Sequence, residues 1–348
     1  MIDFRYHLVS IVAVFLALAI GIVLGSTELQ PAAYTFLNST SAKLQNQLDQ
    51  ATSQRDAAQQ QASEGEQYAQ AVEPTVLRDL LTGQRLLIVT EPGAQSSVVS
   101  GISTAATDAG ATVTGQINLQ PKFFDTSGTT QDSLNQTTQD VAQTASIQLD
   151  TSATYQQQAA QVIATEILTT SSGSSGSRPG GDQGSGTQGT DAATMLQAYA
   201  ASQFLSTTGQ PATSATLAVV VTPQNAPSDG SADQLDQVLI PLVQELAAKS
   251  SATVVVGSSA GSGAGSPIAV LRSNNVSNQV STVDDAELAS GQTVAIQALA
   301  AGLAGGKAGS YGFTANGASA IAPSPAPTPT ASASATPTAP AKKKKVNK

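Results

Sequence analysis

The densest acidic segment of the chain contains Asp284, Asp285 and Glu287, residue types that could do chemistry. Carboxylates alone can bind calcium or magnesium, and a paired acid and base can carry proton transfer. Neighbouring side chains point apart unless the backbone turns, so capping of the following turn is the interpretation we favour over a cation site. Among the 24 carboxylates of the chain, no spacing identifies an acid–base pair of the glycosidase type.

A second candidate is the glycine- and serine-rich segment 257–266, which follows an apolar run. In doubly wound folds, loops that follow a strand bind phosphates. The segment contains no Gly-Lys-Ser/Thr and no G-x-G-x-x-G in register, so neither nucleotide motif is met. We therefore favour a flexible loop between a strand and a helix.

The chain is poor in soft or imidazole ligands. It has no cysteine, its single histidine is His7, and its methionines are Met1 and Met195. Without cysteine the chain cannot form disulfides. The residues that follow His7 cannot form a Ser-His-Asp or Cys-His catalytic arrangement or a zinc site built from Cys or His. We predict a protein that is not an enzyme and has no cofactor. No catalytic residue and no metal ligand can be named.

The charge balance argues against a nucleic-acid partner. The formal net charge is −9, and the C-terminal lysines 342–345 and 348 supply five of the 15 basic residues, so the rest of the chain is more acidic still. Nucleic-acid binding needs a basic patch that neutralises phosphates. The lysine cluster is either a solvated charge run, which we favour, or a contact for anionic lipid or wall polymer.

The elements that must position any site begin with an apolar segment. Residues 8–24 contain no charged side chain, and with 25–27 they would form a helix of about 30 Å, which spans a bilayer. A cleaved signal peptide has a shorter apolar core and ends in an A-x-A-like site, so an uncleaved anchor is favoured. Arg5 precedes the segment and Glu28 follows it. The positive-inside rule then predicts a cytoplasmic N-terminus and an extracytoplasmic bulk.

Small residues recur every four positions in this segment, at Ala13, Ala17, Gly21 and Gly25. This spacing lets two helices approach closely in lipid and predicts a membrane self-association face. The alternative is that Ala and Gly are simply frequent in membrane helices.

A coiled-coil pattern follows the span. Pro31 fits the first turn of a new helix, and Pro74 marks its end. Between these two prolines a seam of residues steps alternately by four and three, with polar residues outside it. The seam consists of Leu44, Leu48, Ala51, Arg55, Ala58, Ala62, Gly65, Ala69 and Val72. The pattern fits either one amphipathic helix lying on its own domain or a parallel dimer stalk about 60 Å long, for about 42 residues at about 1.5 Å each. We favour the stalk, and therefore a homodimer.

Beyond Gly83 apolar strands alternate with helical stretches, which predicts an α/β fold: a mostly parallel sheet flanked by helices. The predicted strands are 85–90, 111–119, 217–222, 253–257 and 280–283. The predicted helices are 95–109, 133–149, 154–168, 192–205, 235–246 and 290–303. The resulting domains are a membrane anchor (1–30), a stalk (31–74), an α/β extracytoplasmic domain (83–321) with a flexible insertion (171–190), and a disordered tail (322–348).

Three stretches of the sequence carry a family resemblance. The leader MIDFRYH with residues 12–26, the segment LLIVTEPGA at 86–94, and 281–312 with STVDDAELASGQ and a final GSYG together resemble the actinobacterial MctB-type family of copper transporters. The resemblance implies copper efflux or a channel in the mycolate outer membrane. Some relatives resemble a SteB-like partner in cell separation, which implies a coiled-coil dimer acting with a membrane partner on a peptidoglycan hydrolase.

The residues themselves fit the channel poorly. Copper(I) prefers Cys and Met and copper(II) prefers imidazole, yet after the span the chain offers only Met195. A pore needs several spanning helices or a closed barrel. A second hypothesis is therefore a dimeric envelope scaffold or regulator of peptidoglycan hydrolases, with an envelope protein partner and no direct copper binding.

Overall fold

The computed structural model describes residues 4–168, 187–224, 232–259, 265–312 and 323. The chain divides into two units, Met1–Gln67 and Tyr68–Lys348. The helices are α1 (Phe4–Leu77), α2 (Ser96–Asp108), α3 (Pro121–Phe124), α4 (Gly128–Ala145), α5 (Tyr155–Ile167), α6 (Thr187–Ala201), α7 (Ala232–Lys249), α8 (Pro267–Ser273) and α9 (Ala289–Leu303), with a 3-10 helix at Asn275–Asn278. The strands are β1 (Arg85–Thr90), β2 (Thr112–Leu119), β3 (Leu205–Gly209), β4 (Leu217–Val221), β5 (Ala252–Val256), β6 (Ser281–Val283) and β7 (Ser310–Tyr311).

The first unit, in its described part, is helix α1 alone. We expected a new helix at Pro31 and an end at Pro74, but α1 runs through both prolines and ends at Leu77. A proline removes only one backbone donor, so a helix can continue past it at a cost of about 3 kcal/mol. The last turns of α1 belong to the second unit, where Leu77 is fully buried.

The second unit is built on a seven-stranded sheet in the order β3-β2-β1-β4-β5-β6-β7. Every neighbouring pair is parallel except β2 and β3, which run antiparallel at one edge. From β1 the chain crosses to β2 on one side, whereas β4 to β7 extend on the other side. The sheet order therefore reverses between β1 and β4.

The central strands form because their residues are apolar without interruption. All five residues of β4 (LAVVV) are buried, as are five of the six in β1. Alternate residues of β1 face opposite core clusters: Leu87 and Val89 join one, and Leu86 and Ile88 join the other. Helices cover both faces, so the predicted α/β architecture, with a mostly parallel sheet flanked by helices, is confirmed.

Several elements differ from the prediction. The predicted helix 192–205 ends at Ala201, and Leu205 begins the edge strand β3, whose other four residues are exposed and show no apolar pattern. The short elements α3, α8 and β7 were also not predicted. Helix α6 begins at Thr187, inside the range interpreted as an insertion. Residues 169–186 of that region and 324–348 of the predicted tail lie outside the described residues.

Candidate functional site

The parallel strands all end at the same edge of the sheet, here called the carboxyl edge. The segment that follows each of these strands therefore lies along this edge. Its backbone ladder continues past the strands: Glu91 N donates to Val221 O (3.0 Å), Thr222 N to Val256 O (2.9 Å) and Gly257 N to Val283 O (2.9 Å). In doubly wound folds this edge is where ligands bind, especially where the strand order reverses. The predicted residues Gly257, Asp284, Asp285 and Glu287 all lie here.

Asp284 is held by a buried ion pair. Arg272, on α8, donates from Nη1 to Asp284 Oδ2 at 2.7 Å, and the two side chains are 6% and 0% exposed. The same guanidinium donates from Nε to Thr282 Oγ1 (3.0 Å) and from Nη2 to Tyr311 O (2.8 Å). Arg272 thus joins α8, β6 and β7. The sequence did not indicate this ion pair, whose cationic partner lies 12 residues earlier in the chain. Capping of the following turn by the acidic cluster stays a prediction.

The other two acidic residues have different surroundings. Asp285 adopts a left-handed backbone conformation with φ of 70°, and its carbonyl accepts from Leu288 N at 3.0 Å. Glu287 accepts from Ser259 N at 3.0 Å and from the Ser259 hydroxyl. This contact binds the loop after β6 to the loop after β5. Among the described residues, no group of three or more His, Cys, Asp or Glu is placed to hold a metal ion.

The glycine-rich segment is described only at its two ends, since 260–264 lie outside the described residues. Ser258 Oγ donates to Gln224 O at 2.8 Å, and Ser266 caps α8 by accepting from Ala269 N at 3.2 Å. These serines therefore have structural partners.

Glu91 is a site residue that the sequence reasoning missed. It follows β1 directly, is 3% exposed, and its Oε1 receives no hydrogen bond among the described residues. Burial raises the pKa of the Glu91 carboxyl to about 8, so it is protonated at neutral pH. The loops around it are in contact, since Gln224 N donates to Gly93 O at 3.3 Å. The sequence pattern that could have indicated this site is a single carboxylate placed between an apolar strand and Pro92-Gly93.

Glu91 lies where the strand order reverses, at the end of β1 and hydrogen-bonded to the end of β4. A neutral carboxyl group can donate as well as accept, unlike the ionised Asp284. This arrangement can bind a polar ligand group or release its proton. Among the described residues no base is hydrogen-bonded to Glu91 Oε1, so this part of the chain shows no acid–base pair at Glu91.

The one soft candidate copper ligand in this unit, the thioether of Met195, is buried in the core. Met195 lies on α6 and is 3% exposed within the core cluster beside Leu196 and Tyr199. His7 lies on α1 in the first unit and is exposed.

The predicted membrane face lies on α1. Its segment Phe4–Gly25 has a mean hydropathy of 2.9, no part of it is buried, and it is long and apolar enough to cross a membrane. Ala13, Ala17, Gly21 and Gly25 share one side of this helix by their four-residue spacing. Self-association through them stays a prediction.

The predicted seam also lies on α1, within one continuous helix. Leu44 is 55% and Leu48 66% exposed, and Ala51, Ala58 and Ala62 are exposed as well. Ala69 and Val72 belong to the second unit and are half-buried. The coiled coil stays a prediction.

Residues 1–323 match the family model described as "Copper transport outer membrane protein, MctB". The chain belongs to the MctB family. The match includes α1 and all described elements of the second unit, and it confirms the resemblance predicted from the leader and the later stretches.

Curated relatives agree with this assignment. Over 323 residues the chain is 28% identical to proteins named copper transporter MctB from Mycobacterium tuberculosis and Mycobacterium bovis, covering 92% of this chain and 99% of each relative. A copper transporter MctB from Mycobacterium leprae is 30% identical over 129 residues, which is 37% of this chain and 41% of that protein.

The structure explains one stretch that carried the resemblance. Thr282 N donates to Gly309 O (3.0 Å) and Asp284 N to Tyr311 O (3.2 Å), so the DD segment and GSYG pair as neighbouring strands. Gly312 has φ of 139°, and a Cβ there would lie 1.6 Å from Asp284 Oδ1. This part of the motif therefore has a structural reason: it seats the buried ion pair.

Proposed function

We propose that this protein is a non-enzymatic, membrane-anchored cell-envelope protein that acts in copper efflux. The observation that carries the proposal is the match to the MctB family over residues 1–323, which includes the apolar helix as well as the α/β unit. The relatives are named copper transporters at 28% identity over nearly their whole length.

In this proposal α1 anchors the protein through Phe4–Gly25, with the N-terminus in the cytoplasm and the α/β unit in the cell envelope. The support is the apolar segment itself and the basic residue Arg5, which precedes the uncharged run at residues 8–24. One described helix meets the length and hydropathy needed for a span. A single span anchors a protein but does not enclose a pore, so we propose that transport requires assembly with further chains.

Copper is the transported substrate in this proposal, and the α/β unit does not ligate it through sulfur or imidazole. The chain has no cysteine, and the thioether of Met195 is enclosed in the core. Copper(I) favours thiolate and thioether ligands and copper(II) favours imidazole. The role proposed for the α/β unit is therefore to organise an assembly.

A deletion strain tests the proposed function directly. We expect growth of the strain to be inhibited at copper concentrations that the parent tolerates, and restored by the full chain. Zinc is the control, and tolerance to zinc is expected to be unchanged. Equal copper tolerance in deletion and parent strains would contradict the proposal.

A second candidate function is a dimeric scaffold that regulates peptidoglycan hydrolases in cell separation. The observation that favours it is the exposed apolar side of α1: Tyr34 (66%) and Leu37 (59%) lie in the same three–four register as Leu44 and Leu48, with Ser41 at the position between them. Apolar residues exposed in this register indicate a partner helix. In the deletion strain this function predicts chained, unseparated cells at normal copper.

The dimer itself is testable by light scattering of the full chain in detergent. We expect a dimer that is weakened by Leu44→Asp together with Leu48→Asp, because charges would face each other in the seam. The matched control is Asn46→Asp with Ser53→Asp, which places the same charges outside the seam on the same helix. A monomer in the unmodified chain, or equal behaviour of the two double variants, would contradict the stalk.

A further inference from the structure

A groove opens on the sheet face beside α2 and reaches the carboxyl edge near Glu91, since Thr90 and Ala94 both line it. Its volume is about 610 Å³, and it is lined by α2, β1, β2 and β3. Ligand sites for small molecules usually fall between about 300 and 1,000 Å³. None of the described residues that line the groove is charged.

One wall of the groove is a row of hydroxyl groups on α2. Ser96, Ser100 and Ser103 follow an i, i+4, i+7 spacing, which puts them on one side of the helix. Ser100 Oγ donates to Ser97 O at 3.0 Å. The hydroxyls of Ser96 and Ser103 make no hydrogen bond to other described residues, so both can bind a ligand.

The opposite wall is a fixed array of amides and hydroxyls on the sheet. Thr90 Oγ1 donates to Asn118 Oδ1 at 2.8 Å, and Gln116 Nε2 donates to the same oxygen. Asn118 Nδ2 donates to Thr208 Oγ1 at 3.5 Å. The bond to Asn118 uses Gln116 Nε2, and Gln116 Oε1 accepts from no described donor, so it is available as an acceptor. The array is thus held in place before any ligand arrives.

The floor between the two walls is apolar. Ile88 of β1 and Val113 of β2 line it together with Val99 of α2. A groove with neutral hydrogen-bonding walls and an apolar floor fits a molecule that carries hydroxyls at its rim and C–H groups on its face. A charged ligand would lose its hydration and meet no opposite charge.

We propose that this groove binds a neutral, hydroxyl-rich small molecule of the saccharide class. The hydroxyls of Ser96 and Ser103 and the Gln116 amide bind the sugar hydroxyls, and the half-buried Val99 and Val113 contact the ring face. The site is separate from copper handling and does not depend on it.

Saturation-transfer NMR on the full chain tests this proposal. The protein is placed in phosphatidylcholine nanodiscs, because sugar-based detergents would compete for the groove. The probes are N-acetylglucosamine and maltose, with glucosamine and glucuronate as charged counterparts. We expect transfer to at least one neutral sugar and weaker transfer to the charged ones. Absence of transfer to both neutral sugars, or equal transfer to glucuronate, would overturn the proposal.

Variants on α2 locate the binding. Ser103→Leu fills the groove and is expected to abolish transfer, and Ser103→Ala to weaken binding by roughly three- to tenfold through loss of one hydrogen bond. Thr104→Leu is the matched control, since this neighbouring residue is exposed and does not line the groove. Transfer that persists in Ser103→Leu, or is equally lost in Thr104→Leu, would overturn the assignment of the site.

Discussion

Asp284 and Glu91 are both buried carboxyl groups that directly follow parallel strands at the same edge of the sheet, yet their surroundings are opposite. Asp284 accepts a charge-assisted hydrogen bond from Arg272 at 2.7 Å. Glu91 forms no ion pair with any residue that the structure describes, and burial raises its pKa to about 8. The comparison separates two kinds of buried acid: one is ionised and stabilises the junction of α8, β6 and β7, and the other is neutral and lies where the strand order reverses.

The largest expected effect concerns the pH dependence of Glu91. Its pKa is about 8 in the folded protein against 4.5 when exposed, so its contribution to stability is full below about pH 4.5 and declines as the pH rises to about 8. The total change is on the order of 5 kcal/mol, at about 1.4 kcal/mol per pH unit. Denaturant unfolding of the full chain, followed by near-UV circular dichroism of buried tyrosines, measures it.

Glu91→Gln is the matched variant for this measurement. It keeps the shape and the neutral state of the side chain and removes its titration. We expect the free energy of unfolding of this variant to stay level over the same pH range, apart from other titrating groups that both proteins share. The same decline in both proteins would show that Glu91 is not the titrating group.

The next largest effect is expected from the ion pair. Arg272→Leu leaves the Asp284 carboxylate buried without its charged partner, so we expect a loss of about 3–5 kcal/mol of unfolding free energy. The control is Asp56→Leu, which lies outside the predicted seam. Its partner Arg55 lies 2.8 Å away, but the side chains of Arg55 and Asp56 are 66% and 58% exposed, so the expected change is below about 1 kcal/mol. Similar losses of unfolding free energy in the two variants would contradict the claim that the buried ion pair stabilises the fold more than the exposed one.

Met195 provides the smallest expected effect. Met195→Leu conserves volume in the core and should cost less than about 1.5 kcal/mol. Since the thioether is enclosed, copper tolerance of cells carrying this variant should equal that of the unmodified chain. A copper-sensitive Met195→Leu strain with normal protein levels would show that this sulfur takes part in copper handling.

The sheet was predictable where its strands are buried on both faces. The apolar runs of β1, β4 and β5 have no polar interruption, so their strand character is evident from composition alone. The edge strand β3 was missed because Ser206 to Gly209 carry no apolar pattern, and β7 was missed because it has two residues.

The polar interactions were much harder to predict. Arg272 and Asp284 are far enough apart in the chain that no helical or strand spacing connects them, and only the crossover through α8 brings them together. Glu91 lies within the family stretch LLIVTEPGA, but its burial could not be predicted from that, because a carboxylate after a strand usually reaches solvent. The groove residues Ser103, Gln116 and Thr208 come from three separate elements.

The central claim, a role in copper efflux, is tested most directly by the copper content of cells. Cell-associated copper is measured by mass spectrometry after equal exposure of the parent strain, the deletion strain and the complemented strain. The account predicts higher copper in the deletion strain and a return to the parent level with the full chain. Equal copper in all three strains would contradict it.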